Sequence, residues 1–206
     1  MATGDVTPNR RGVRSRDAVL DAAERVMAEH GFEGATAAQI VALSGIPVSS
    51  VYHYFGSKQG VLLAVMERGA RRFFDSLPAV AEREGAPEDH LRHVIDGIAA
   101  ALEEQPDFLR LVLVMATQPV AGDDVATAQE VVSRVRREAL GRLRALIAMA
   151  FDDLRPSDES TDRLARLTLA AIDGAFVASQ ADGARLRWVL EPLPAALVAA
   201  RDRVTG

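Results

Sequence analysis

The residues able to do chemistry gather in one stretch, 36–58, which reads TAAQIVALSGIPVSSVYHYFGSK. Both tyrosines of the chain, Tyr52 and Tyr54, and its single lysine, Lys58, fall there, with His53 between the tyrosines. Tyr52, His53 and Lys58 are of the types that hold phosphate oxygens. Just before them come Val48, Ser49 and Ser50. A serine can donate to or accept from any base edge, and a valine can touch a thymine methyl. No arginine or lysine lies between Pro47 and Ser57, so bidentate guanine contacts are missing and shape and phosphate contacts carry more of any recognition. A second basic set lies upstream. Arg10, Arg11, Arg14 and Arg16 occur within residues 9–16 without an acid among them, a local positive arm suited to a phosphate backbone.

Other chemistries find little support. The chain has no cysteine, which removes disulfides, thiol catalysis and cysteine-ligated zinc. His90 and His93, with Asp89 and Asp96 close by, share a helical face that could touch a metal, but no further histidine nearby completes a shell. A solvated helix start is the simpler reading of that pair. No G-x-S-x-G nucleophile elbow, phosphate-binding loop or dinucleotide glycine pattern occurs. The expectation is therefore binding rather than turnover, with no cofactor.

The net charge of −5 argues against a uniformly basic nucleic-acid binder. Its distribution answers the objection. Residues 1–60 carry six basic and six acidic side chains, while the rest carry 18 and 23, so the deficit lies entirely behind the chemistry-bearing stretch. Residues 1–9 lack the apolar run of a signal peptide. Neither charge-free stretch, 36–57 with its glycines, proline and serines or the short 111–122, reads as a membrane span. A cytoplasmic protein is expected.

The elements that must position these residues read as helices throughout, because apolar residues recur at helical spacing and period-2 runs are nearly absent. The first is predicted over 15–30, capped by Ser15 and ended by Gly31. Thr36 and Gln39 form a capping box that opens a short second helix ending near Ser44 and Gly45. Pro47 suits the first turn of a third. Phe55, and with it Tyr54, read as core aromatics. Longer helices follow from Ser57, from Pro87, over 107–118, over 123–153, after a cap at Ser157, and over 193–203. Two short helices joined by a glycine-containing turn are the minimum of a helix-turn-helix, with the second helix in the major groove.

This stretch resembles the TetR family of transcriptional regulators. The likeness is carried by Thr36, Ile40, Gly45, Tyr52, Tyr54, Phe55, Ser57 and Lys58, with departures at Val41, Ser44, Pro47 and Ser49, and it covers roughly residues 15–65. The resemblance implies an all-α protein of about nine helices, with an N-terminal DNA-binding domain (residues 1–56) and a C-terminal regulatory domain (57–206). It also implies a homodimer on double-stranded operator DNA, released by a small-molecule effector. The DNA contacts expected are Arg10, Arg11, Arg14, Thr36, Val48, Ser49, Ser50, Tyr52, His53 and Lys58.

For the dimer, the helix after Ser157 carries an apolar arc of roughly 200°, wider than the ~100° one core requires. Leu169, Ile172, Gly174, Ala175 and Phe176 are expected at the interface. An apolar ligand would sit among Phe74, Leu77, Phe108, Leu111, Met115, Met149 and Phe176, with Thr117 or Gln118 as polar contacts. The competing reading is an all-helical small-molecule carrier or scaffold that never touches DNA. Alanine at Tyr52 and Lys58 would leave such a protein's activity intact.

Overall fold

A computed structural model describes residues 10–77, 85–117 and 125–204, and every regular element among them is helical. In chain order these are α1 (Arg10–Gly34), α2 (Ala37–Ser44), α3 (Val48–Phe55), α4 (Lys58–Ser76), α5 (Pro87–Glu104), α6 (Pro106–Thr117), α7 (Val125–Ala150), α8 (Glu159–Asp182), α9 (Leu186–Leu190) and α10 (Leu193–Val204). Nine of these described helices have eight residues or more; α9 is a five-residue turn that carries Trp188. None is long and apolar enough to cross a membrane.

Local rules account for most of the ends. Thr36 accepts from the Gln39 N–H at 3.2 Å, while the Thr36 N–H donates to Gln39 Oε1 at 2.8 Å, so the expected capping box opens α2. Gly45 closes it in the left-handed region (φ 69°, ψ 8°), where a side chain would be strained. Pro87 starts α5, with Glu88 and Asp89 in the first turn where they favour the helix dipole.

Three ends differ from the sequence reading. α1 begins at Arg10, so Ser15 lies inside the helix and not at its start, and Gly31 (φ 70°, ψ 175°) kinks the chain before its last turn. Pro47 is extended (φ −56°, ψ 145°) and precedes α3 rather than joining it. Asp158, not Ser157, stands before α8. Its carboxylate accepts from the Arg155 N–H at 2.7 Å and so holds the turn between α7 and α8.

The described residues fall into two compact units. The first draws on Met1–Arg71 and Asp107–Val132, and so carries α4 well past residue 56 and takes in α6. Its buried side chains include Val19, Leu20, Met27, Ile40, Val51, Val61, Val65 and Met66. The second draws on Arg72–Pro106 and Ser133–Gly206. There α10 packs on α5 and α8, and α9 packs on the same two helices. Leu91, Ile95, Ile98, Leu102, Leu164, Ile172 and Leu197 are buried in it.

Candidate nucleic-acid interface

In the first unit, α1 packs on both α2 and α3, and α2 packs on α3. Val51 alone is buried among the α3 residues, and Tyr54 and Phe55 are half-buried. The opposite face of α3 is open: Val48 and Tyr52 are each 45% exposed, and Ser49 and His53 are exposed beside them. These four stand at spacings of one and four residues, which puts them on one side of a helix. Ser50 is half-buried at the edge. An exposed Val and Tyr on a short helix anchored by one buried Val leave its outer face free for a groove.

Other expected contacts have structural duties. Thr36 is exposed but its hydroxyl is engaged with Gln39 in the cap. Lys58 is turned back onto α1. Its ammonium donates to the Glu33 carbonyl at 3.2 Å and lies over the Phe32 ring, 4.5 Å from its centre. The only lysine therefore ties the start of α4 to the end of α1, where the sequence reading had it pointing to phosphate. Arg10, Arg11, Arg14 and Arg16 lie along the first two turns of α1 rather than on a free arm. Arg14 and Arg16 are exposed, and the Arg16 guanidinium sits 5.1 Å from the centre of the Phe55 ring, bracing the end of α3.

Sequence reasoning missed Arg68. From α4 its guanidinium meets Asp21 at 2.8 Å and Glu24 at 2.9 Å, and donates to the Asp17 carbonyl, all on α1. Both Arg68 and Glu24 are largely buried. The signal was available: Asp17, Asp21 and Glu24 recur at i, i+4 and i+7, and Arg68 shares a helical face with Val61 and Val65. A lone arginine among apolar neighbours needs a carboxylate, and that stripe supplies two.

The remaining expected sites are placed as follows. Phe108, Leu111 and Met115 of α6 are buried in the first unit. Thr117 is spent on its own helix, its hydroxyl donating to the Leu113 carbonyl at 2.8 Å. Gln118 lies outside the described residues. In the second unit Phe74 and Phe176 are buried, Leu77 is half-buried and Met149 is 39% exposed on the outside of α7. Ile172 and Ala175 are also buried against their own chain, Leu169 is half-buried and Gly174 is exposed. His90, expected in solvent, is buried on α5, while His93 is exposed. The four-residue apolar repeat of α5 turns His90 inward beside Leu91 and Val94. Among the described residues no group of three or more His, Asp or Glu is arranged to hold a metal.

Comparison with known proteins supplies a family for this arrangement. Residues 19–65 match the family described as bacterial regulatory proteins, tetR family. The chain is 25% identical over 162 residues to the HTH-type transcriptional regulator BetI of Rhizobium meliloti, covering 79% of this chain and 76% of that one. Its fold is similar to that of a transcriptional regulator of the TetR family from Agrobacterium tumefaciens (TM-score 0.73, 17% identity, 90% and 98% of the two chains). It is also similar to that of the regulator FadR from Bacillus subtilis in complex with stearoyl-CoA (TM-score 0.68, 15% identity, 89% and 98%).

Proposed function

We propose that the chain is a DNA-binding transcriptional regulator of the TetR type, a reading supported by the match of residues 19–65 and by the similar fold of such regulators, and that it is a repressor acting as a homodimer on a palindromic operator and released by a small apolar ligand. It acts in the cytoplasm by binding, not by turnover. The observation that carries the reading is the open face of α3, where Val48, Ser49, Tyr52 and His53 stand exposed over a buried Val51. Val48 and Ser49 begin the helix and meet base edges; Tyr52 and His53, a turn later, meet backbone phosphates. Lys58, Thr36 and Arg68 hold that face in place.

The dimer uses the outward side of α8. Leu167 and Val177 are 45% and 54% exposed, and Ala170 and Gly174 lie exposed between them at the spacing of one helical stripe. α10, packed beside α8, presents Ala195, Ala196 and Ala199. Small residues on two adjacent helices let a second copy approach closely, and a self-complementary patch closes as a two-fold dimer. Ile172, Ala175 and Phe176 serve the monomer's own core instead. For the ligand, support comes from the FadR neighbour's complex with stearoyl-CoA and from the buried Phe108, Leu111 and Met115 of α6, in the unit that bears α3.

Selection of bound fragments from genomic DNA with purified protein tests the reading. The expected result is a pseudo-palindrome with half-sites about one helical turn apart, roughly 34–36 Å, or a multiple of it. Ser49→Ala should change base preference, and removal of Arg10, Arg11 and Arg14 together should flatten the salt dependence for all sequences. Enrichment of no sequence, or of a single unpaired half-site, would refute it.

A further inference from the structure

The second unit contains a cavity of about 370 Å³ between α5, α9 and the start of α10, within the size range of small-molecule sites. Its apolar lining is Ile95, Leu190 and Pro194, all buried, together with Trp188, the only tryptophan. Trp188 is 69% exposed. An indole left so open costs apolar surface in water, and here it borders a cavity.

The polar lining carries both signs. Arg92, Arg185 and Arg187 supply guanidiniums, and Asp96 and Glu191 supply carboxylates. Arg92 is held by Glu88 at 2.6 Å and Arg187 by Glu103 at 3.5 Å, two carboxylates outside the cavity lining. Those pairs orient the guanidiniums while leaving most of their donors unused. The side chains of Asp96, Arg185 and Glu191 form no ion pair with any described residue. A simple anion would meet two unpaired carboxylates, and a simple cation would meet the unpaired Arg185 beside the paired Arg92 and Arg187. A molecule bearing one charge of each sign, with an apolar body, satisfies the whole lining.

We propose that this cleft binds a free amino acid with a large apolar side chain. The ligand carboxylate takes donors from Arg185 and Arg187, the ammonium lies between Asp96 and Glu191, and the side chain stacks on Trp188 over Ile95, Leu190 and Pro194. Charge-assisted hydrogen bonds at both ends set the specificity, and the indole adds flat contact area to the apolar floor. The site is built from the second unit alone and does not depend on the operator reading.

L-phenylalanine is the probe, because Trp188 is the sole tryptophan and its fluorescence reports occupancy directly. Calorimetry on the same full-length protein gives a readout independent of the indole. The expected result is saturable binding with a Kd of about 1 mM or tighter. 3-Phenylpropanoate, which lacks the ammonium, and phenethylamine, which lacks the carboxylate, should each bind at least about tenfold more weakly. Arg185→Ala combined with Arg187→Ala should abolish the response to L-phenylalanine. Both residues are exposed, and circular dichroism should show the variant folded. Three results would overturn the proposal: neither heat nor fluorescence change up to the solubility limit, equal affinity for either one-charge analogue, or unchanged affinity in the double variant.

Discussion

A methyl group added at Gly69 would project from α4 into the ring of Phe108 on α6. An ideal Cβ there would overlap Cδ2 of the ring and lie 3.1 Å from Cε2 and 3.2 Å from Cγ. Phe108 is 3% exposed, so the ring has no room to swing away. Two effects oppose each other in Gly69→Ala. Helix propensity favours alanine by about 1 kcal/mol, whereas overpacking a filled core costs about 1–3 kcal/mol. Gly141, on α7, separates them: a Cβ at that position meets nothing within 4 Å. Gly141→Ala should therefore stabilise by about 1 kcal/mol, and the gap between the two variants should be the steric cost itself, about 1–3 kcal/mol. Urea unfolding monitored by circular dichroism checks this, with the midpoint moving and the slope unchanged. Gly69→Ala combined with Phe108→Leu should recover most of the loss. If Gly69→Ala stabilises as much as Gly141→Ala, the close approach of α4 and α6 does not constrain the protein and the reasoning fails.

Thr36→Ala removes the hydroxyl that accepts from the Gln39 N–H, leaving the Thr36 N–H bond to Gln39 in place, and should cost about 1 kcal/mol in urea unfolding; Thr36→Ser should restore it. Gly174→Arg, at an exposed position with nothing within 4 Å of a Cβ, should leave the monomer folded but shift sedimentation from dimer to monomer; a variant that remains dimeric excludes this face of α8. Asp162 is held below the ordinary carboxylate range by hydrogen bonds from Arg166 and Arg144. Its depressed value means stability present above the unfolded pKa and lost as pH falls through the folded one. The stability gap between wild type and Asp162→Asn should thus be level near neutrality and close below about pH 4; a gap that widens on acidification would contradict the assignment.

What could be read from the sequence was decided within a few residues. The capping box depends on Thr36 and Gln39, three apart, and the end of α2 depends on Gly45 alone, so both were legible. So was the open face of α3, since a short helix with one inward valine has little choice of orientation. Lys58 was not. Its partners, Phe32 and Glu33, lie on the far side of α2 and α3, and only the folded unit brings the end of α1 beneath the start of α4. The tie that Lys58 makes between the start of α4 and the end of α1 therefore leaves no local signal in the sequence. The first helix erred locally: Ser15 is a competent cap, but the arginines before it are good helix formers and continue the helix back to Arg10.

The α8 helix shows where local patterning stops being sufficient. Its apolar arc is too wide for one core, which requires two packing surfaces but does not say which residues serve which. The monomer takes the side with Leu164, Ile172 and Phe176, whose bulk gains the most from burial in the second unit. What remains outward is Leu167, Ala170, Gly174 and Val177, a stripe with a glycine at its middle. Glycine inside a helix costs about 1 kcal/mol relative to alanine, and no described residue lies within 4 Å of a Cβ at the position. Such a cost is unexplained within the monomer and is offset if a second helix crosses there. That is the face on which the dimer proposed above would close, and Gly174→Arg tests it.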